Sequence, residues 1–194
     1  MFLYNMTRER GLNDEQLHEL GAILLPTPRA LSPFILRDGN GAPFGNAQLE
    51  KHWSLLYFGF TNCPDACPTT LRDLAKAKGA IEKQFADHHI AAPLQVVFVS
   101  VDPERDTLPR LKEYVGGFNR DFIGVTASRD VLAVLATQLN VAFAKVPGYA
   151  PGTYMMDHTT NLVLINPHGH YQGFLRPPFE ITRIAPTLGA IAAR

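Results

Sequence analysis

Cysteine is nearly absent from this chain: 194 residues contain two. That scarcity excludes the disulfide-dense scaffolds of small secreted domains. Net charge is absent as well, because 18 Lys and Arg balance 18 Asp and Glu with no long basic run. Nothing in the sequence therefore drives binding to nucleic acid or to an anionic membrane surface. No apolar run reaches the roughly 18 residues of a membrane span, and the opening MFLYNMTRER lacks the basic-then-apolar order of a signal peptide. Repeats, low-complexity tracts and long linkers are missing too. What remains, 46% hydrophobic and 19% charged residues, is the composition of an ordinary globular domain. One domain of this length is expected to have a radius of gyration of about 16 Å and to bury about 70% of its unfolded surface. Such a core needs no disulfide or metal to hold it, which directs attention to a small, specific site.

Residues 1–30 read as a peripheral arm with a short helix, since Leu12, Leu17, Leu20 and Ile23 are loosely periodic before Pro26 and Pro28 stop it. Phe2, Leu3 and Tyr4 ahead of Thr7-Arg8-Glu9-Arg10 fit equally the stub of a removed membrane anchor and an ordinary chain end. The domain proper is expected over 31–194. Pro33 to Leu36 and Ala42 to Phe44, around Asp38-Gly39-Asn40-Gly41, read as a hairpin. Trp53 to Gly59 and Leu94 to Val101 are short, nearly continuous apolar runs that suit strands buried on both faces. Between them Leu71, Leu74, Ile81 and Phe85 recur at helical spacing, with Lys78 breaching the stripe, so a right-handed β-α-β unit is expected. A helix over Leu108 to Val115, a strand over Phe122 to Val125 and a helix through Val131 to Leu139 follow. Asn161 to Asn166 and Tyr171 to Leu175 form a second hairpin, and Ile181, Ile184, Leu188 and Ile191 mark a last helix. The consistent architecture is α/β, a mixed central sheet with helices on both faces.

The two cysteines are Cys63 and Cys67, in Cys63-Pro64-Asp65-Ala66-Cys67-Pro68, between the first central strand and its helix. Sheets of this class present ligand sites at the carboxyl ends of their strands. Pro68 cannot lie deep inside a helix begun at Pro64, so the simplest arrangement puts Pro68 at the first helical position and Cys67 at or beside the N-cap. Unsatisfied N–H groups and the positive dipole end there favour the thiolate that metal binding and disulfide exchange both require. Residues four apart in a turn also bring Cα atoms within disulfide range, so the pair can bind a metal or close a bridge. Two buried cysteines or a structural disulfide are the plain alternative. Two prolines and an aspartate in the loop argue against deep burial, and so short a loop restrains the unfolded chain little. A closed zinc site wants four ligands, and there is no second cysteine pair.

Seven histidines compete to complete a site. His88 and His89 fall at the far end of the helix that starts beside the cysteines, about 30 Å away. His18 lies in the arm, His52 precedes its strand at the opposite end, and His168 and His170 sit in or beside a hairpin turn. His158 enters the strand Asn161 to Asn166, a segment able to run beside the first central strand. An ordinary surface or packed histidine remains open for it on order alone. Asp157 adjoins His158 and Asp65 lies between the cysteines; both are candidates for tuning the site from outside the ligand set.

The run Tyr57-Phe58-Gly59-Phe60-Thr61-Asn62-Cys63-Pro64-Asp65-Ala66-Cys67-Pro68-Thr69-Thr70 closely resembles the cysteine loop of the Sco (SenC, PrrC) proteins. Ser100 to Thr107 (SVDPERDT) and Asp157-His158-Thr159-Thr160 leading into Leu162 to Gly169 agree in order and distance, and the likeness extends over about residues 30 to 190. The resemblance implies a thioredoxin-like fold, with the N-terminal hairpin as an addition, that binds copper through Cys63, Cys67 and His158. It implies a metallochaperone that delivers copper to the dinuclear site of cytochrome c oxidase subunit II. Other periplasmic copper chaperones and a thioredoxin-like reductant are implied as further partners, and the periplasmic face of the inner membrane as the location, with an anchor this chain lacks. It also implies disulfide chemistry at Cys63 and Cys67, with Cys63, nearer the strand end, as the expected attacking thiolate. The residues agree with that expectation: two thiolates are soft ligands that select Cu(I), and an imidazole completes a three-coordinate site that also admits Cu(II).

The rival reading is an enzyme, a thiol:disulfide oxidoreductase or thiol peroxidase using Cys63 and Cys67. Against it, the pair is C-x-x-x-C, not the C-x-x-C of thioredoxins, and Asp157-His158 stands where thioredoxins carry a cis-proline. Peroxide-reducing relatives place Thr or Ser three residues before the reactive cysteine, whereas Thr61 is two before Cys63. The acidic loop from Asp102 to Thr107 reads as structural support, with Asp106 or Thr107 capping the next helix and Arg105 pairing locally. Met155 and Met156 read as packing residues.

Overall fold

A computed structural model describes residues 12–194; the segment 1–11, which includes residues 2–4 weighed above, lies outside the described part. In chain order the elements are α1 (Asp14–Glu19), β1 (Ala22–Ala30), β2 (Ile35–Asp38), β3 (Pro43–Gly45), α2 (Asn46–Leu49), β4 (Trp53–Gly59), α3 (Ala66–Asp87) and β5 (Leu94–Ser100). There follow α4 (Leu108–Gly116), β6 (Ile123–Thr126), α5 (Arg129–Gln138), β7 (Phe143–Pro147), β8 (Tyr154–His158), β9 (Leu162–Ile165), β10 (His170–Leu175) and α6 (Ile181–Ala192). Eight strands form one sheet in the order β1-β10-β9-β4-β5-β6-β2-β3, and β7 and β8 form a separate ribbon. The sheet is mixed, parallel at β4–β5 and β5–β6 and antiparallel in its other pairings. This is the α/β, thioredoxin-like arrangement expected, with the β2–β3 hairpin added at one edge.

Every residue of β4, β5 and β9 is buried, so these strands are covered on both faces, which is why they read as continuous apolar runs. Along α3 the expected stripe, Leu71, Leu74, Ile81 and Phe85, is buried and Ala77 completes it. Lys78, the breach, turns its amine to Glu82 and Asp121, 2.5 and 3.2 Å away. Helices α3 and α6 pack on one another at Gly189, where a Cβ would stand 2.8 Å from the Gln84 side chain.

The register of β4 and β5 runs from Trp53 opposite Leu94 to Gly59 opposite Ser100, so both strands end level. The Val101 N–H donates to the Gly59 carbonyl at 2.8 Å and carries the pairing one residue further. The two loops that follow therefore emerge side by side.

The structure differs from expectation in three places. Beyond the short helix, β1 joins the sheet edge against β10, its ladder interrupted between Leu24 and Arg29, the stretch that holds Pro26 and Pro28. An edge strand tolerates proline because one side of it needs no donors. Helix α3 starts at Ala66 with Asp65 as N-cap, so Cys67 and Pro68 are its second and third residues. That corrects the placement of Pro68 at the first position and Cys67 at the cap. Proline costs nothing there, since the first-turn N–H groups have no intrahelical acceptor. Third, His158 ends β8 of the separate ribbon and does not enter the strand that becomes β9.

Candidate metal centre

The cysteine loop is fastened before it reaches Cys63. Asp106, almost wholly buried, accepts the Thr61 N–H at 2.9 Å, the Thr61 hydroxyl at 2.6 Å and the Ser100 hydroxyl at 2.6 Å. Arg110 donates to Thr61 Oγ1 at 2.6 Å and to Asn62 Oδ1 at 2.5 Å. The Cys63 N–H then closes a turn onto the Phe60 carbonyl at 3.2 Å, and α3 begins three residues later. Contrary to the expectation that two prolines and an aspartate keep the pair from deep burial, Cys67 is fully buried against Gly59, where a Cβ would stand 2.8 Å from its sulfur and 2.7 Å from the Phe98 ring. Cys63 is half-buried, and both thiols are free.

His158 arrives from the ribbon. Its Nδ1 lies 3.1 Å from the Thr159 carbonyl oxygen. That contact holds the ring with Nε2 turned towards the sulfurs, an orientation typical of metal-bound imidazoles. Nε2 stands 3.6 Å from Cys67 Sγ, and the ligand atoms of Cys63, Cys67 and His158 all lie within 4.8 Å of one another. Among the described residues they are the one such group of three or more. Tyr57 and Phe60 meet the imidazole nearly edge-on, with centroids 6.0 and 5.9 Å away, and restrict its rotation.

The pair of thiols is electrostatically unequal. The Cys67 thiol donates to Cys63, the His158 side chain bonds to it, and the N–H groups of Cys67 and Asp65 also point at that sulfur; against the opposing effect of burial they lower the Cys63 pKa from 9.0 to about 4. The Cys67 backbone bond is 3.3 Å long. Cys67, which holds the shared proton and is buried, is pushed up. At neutral pH the pair is one thiolate and one thiol, and a soft cation displaces the remaining proton.

The other residues singled out from the sequence fall as follows. Asp65 caps α3 and contributes its N–H to Cys63, while its carboxylate accepts from the Thr69 hydroxyl at 3.3 Å. Asp157 is exposed, on the opposite face of β8 from His158, and the acceptor that orients the imidazole is the Thr159 carbonyl. Met156 is buried and Met155 half-buried against the core. His88 ends α3 as its C-cap, and none of the remaining histidines joins the group. In the acidic loop Thr107 caps α4, and Asp106 grips Thr61 from 45 residues away in sequence. The acidic run was the one visible signal for that role, and its chemistry alone fits a helix cap equally well.

The donor set fits copper: two sulfurs and one imidazole nitrogen converge, with Nε2 turned towards the sulfurs. Comparison with known proteins agrees. A "Putative copper-binding protein" of Stutzerimonas stutzeri is 34% identical over 165 residues, 85% of this chain and 78% of that one. The crystal structure of Arabidopsis thaliana ScoI with copper bound superposes with a TM-score of 0.74 at 31% identity, covering 82% of this chain and 96% of that one. Bradyrhizobium japonicum ScoI with copper bound gives a TM-score of 0.68, also at 31% identity, over 84% and 97% of the two chains. The SCO1/SenC family profile matches residues 25–193, and the chain belongs to that family.

Proposed function

We propose that this protein is a copper metallochaperone that holds one copper ion through Cys63 Sγ, Cys67 Sγ and His158 Nε2. The observation that carries the reading is the convergence of these three donors within 4.8 Å, one on the loop after β4, one in the first turn of α3 and one on a separate ribbon. Cys63 offers a thiolate without further deprotonation, Cys67 surrenders its proton as the metal enters, and His158 presents Nε2. Three ligands leave Cu(I) coordinatively open on the side of half-exposed Cys63, where an acceptor's thiolate or imidazole can replace the donors one at a time. The same set accommodates Cu(II).

The acceptor, on this reading, is the dinuclear copper site of cytochrome c oxidase subunit II, and the protein works at the periplasmic face of the inner membrane. No helix among the described residues is long and apolar enough to cross a membrane. Copper arrives from other periplasmic chaperones, and a thioredoxin-like reductant keeps Cys63 and Cys67 as thiols. Balanced overall charge means that docking depends on groups around the site and not on a long-range field. The unequal thiol pair supports a second reading, a thiol:disulfide oxidoreductase with Cys63 as nucleophile.

An anaerobic Cu(I) competition titration of the reduced protein, followed by mixing with the apo soluble domain of subunit II, separates the readings. The expected result is one tightly held copper per chain that moves to the subunit. Failure to retain copper, with turnover of a dithiol substrate or of peroxide, would establish the enzyme instead.

A further inference from the structure

The loop after β5 touches both halves of the site. At one end Asp106 holds Thr61 and with it the cysteine loop. At the other, Asp102 and Arg105 hold Tyr154, the first residue of β8. The contacts close a ring. Arg105 Nε donates to Asp102 Oδ2 at 2.5 Å, Arg105 Nη1 donates to the Tyr154 carbonyl at 3.0 Å, and the Tyr154 hydroxyl donates to Asp102 Oδ1 at 2.7 Å. Asp102 is only 2% exposed, so the two bonds to its carboxylate are shielded from water at that end, while Arg105 and Tyr154 are partly exposed. The Arg105 guanidinium also lies 3.7 Å from the Tyr154 ring centroid, a close cation–π contact, and 5.9 Å from that of Phe60. Phe60 in turn meets the His158 imidazole edge-on.

Elsewhere the ribbon is held by Met156, buried in the core midway between Tyr154 and His158, and by an exposed ion pair from Lys145 to Glu104 at 2.9 Å; among the described residues the ring of Asp102, Arg105 and Tyr154 is its tie to a buried charged group. The ribbon is not hydrogen-bonded into the eight-stranded sheet. At its base, Thr159 and Ala142 exchange two hydrogen bonds, at 2.9 and 3.0 Å, but both residues belong to the ribbon's own two arms. Tyr154 and His158 are four residues apart on β8, hence on the same face and separated by about 13 Å. A clasp at Tyr154, with Met156 seated in the core between the two, therefore fixes the far end of the face that carries His158.

We propose that Asp102, Arg105 and Tyr154 are positioning residues, a latch that presses the ribbon onto the cysteine loop and holds His158 at the metal, so that opening the latch withdraws the third ligand. The latch deepens the copper reading above and rests on it. It assigns release to a swing of one strand pair, while Cys63 and Cys67 stay fixed on the sheet.

Two mild variants test it. Tyr154→Phe keeps the ring and removes the hydroxyl that reaches Asp102; Arg105→Lys keeps the charge and removes the fork that joins Asp102 to the Tyr154 carbonyl. In the apoprotein, NMR is expected to show weaker NOEs from the His158 ring to Cys67 and Phe60, with unchanged amide shifts in β4 and β5. In the Cu(I)-loaded protein, copper loss to a chromophoric chelator is expected to be about tenfold faster at unchanged one-to-one stoichiometry, while His158→Ala loses copper fast whether or not the latch is intact. Wild-type NOEs and wild-type release in both folded variants would overturn the latch and leave the copper reading standing. Absence of copper binding by the wild type would sink the copper reading and with it the latch's role in release, while the apoprotein NOEs would still show whether Asp102, Arg105 and Tyr154 position His158.

Discussion

The two sides of the site are built from different materials. The cysteine side grows out of β4, a fully buried strand in the middle of the eight-stranded sheet, and passes through a loop fixed by a buried carboxylate into a 22-residue helix. The histidine side is a two-stranded ribbon with mostly partial burial, joined to the body by buried Met156 and by a handful of polar and aromatic contacts. Stability within one structure is uneven, and elements with few buried apolar contacts open first. A carrier must hold its cargo and also let it go. On the copper-carrier reading, two ligands on the rigid side and one on the separable side satisfy both demands, because losing a single ligand leaves the metal on two sulfurs and widens the opening for an acceptor.

If the division is real, substitutions on the cysteine side will damage fold and binding together, and substitutions on the histidine side binding alone. The largest effect is expected from Cys67→Ser: nearly all copper retention is lost, measured by the same competition titration, since one hard hydroxyl replaces a buried soft ligand. Next is Asp106→Ala, which leaves the Thr61 N–H, the Thr61 hydroxyl and the Ser100 hydroxyl without their acceptor. A loss of about 3 kcal/mol in urea unfolding is expected, together with a loosened cysteine loop. His158→Ala is expected to weaken Cu(I) binding by about tenfold or more with little change in the unfolding midpoint; a large stability loss there would erase the contrast.

The smallest effect concerns pH. In the folded protein the Cys63 thiol ionises at about 4, against an ordinary value of 9.0. Between those values the unfolded chain carries a proton at this position that the folded chain lacks, so the group adds stability as pH rises and loses it as pH falls towards about 4. Above 9.0 the raised Cys67 thiol acts in the opposite sense. The reduced apoprotein is thus expected to gain more stability from pH 5 to about 8 than Cys63→Ser does, a modest difference because Cys63 is half-exposed. Parallel urea midpoints for the two proteins across that range would contradict the assignment.

The same contrast governs how much of the molecule was legible in its sequence. The cysteine side was legible because β4, α3 and β5 are specified locally, by continuous apolar runs and a 3.6-residue stripe ending in a loop with two thiols. The ribbon was not. Its strands alternate only weakly between buried and exposed positions, and their identity comes from pairing Phe143 with His158 and Pro147 with Tyr154 across a Gly- and Pro-rich turn. His158 stood out by its segment and by the family resemblance, while its orienting partner, a backbone carbonyl, has no sequence signature at all. Asp106 shows the same limit: an aspartate before a helix reads as a cap, and only the level ends of β4 and β5 bring Thr61 into its reach. Strand β1 was hidden by its own prolines, which mark an edge as readily as a turn.

The central claim is that copper sits between two fixed sulfurs and one movable nitrogen. X-ray absorption of the Cu(I)-loaded protein tests it most directly, with wild type and His158→Ala compared. The account predicts two sulfur neighbours and one nitrogen neighbour in the wild type, and the same two sulfurs without the imidazole signature in the variant. An imidazole shell that survives in His158→Ala, or a wild-type copper with sulfur neighbours alone, would contradict it.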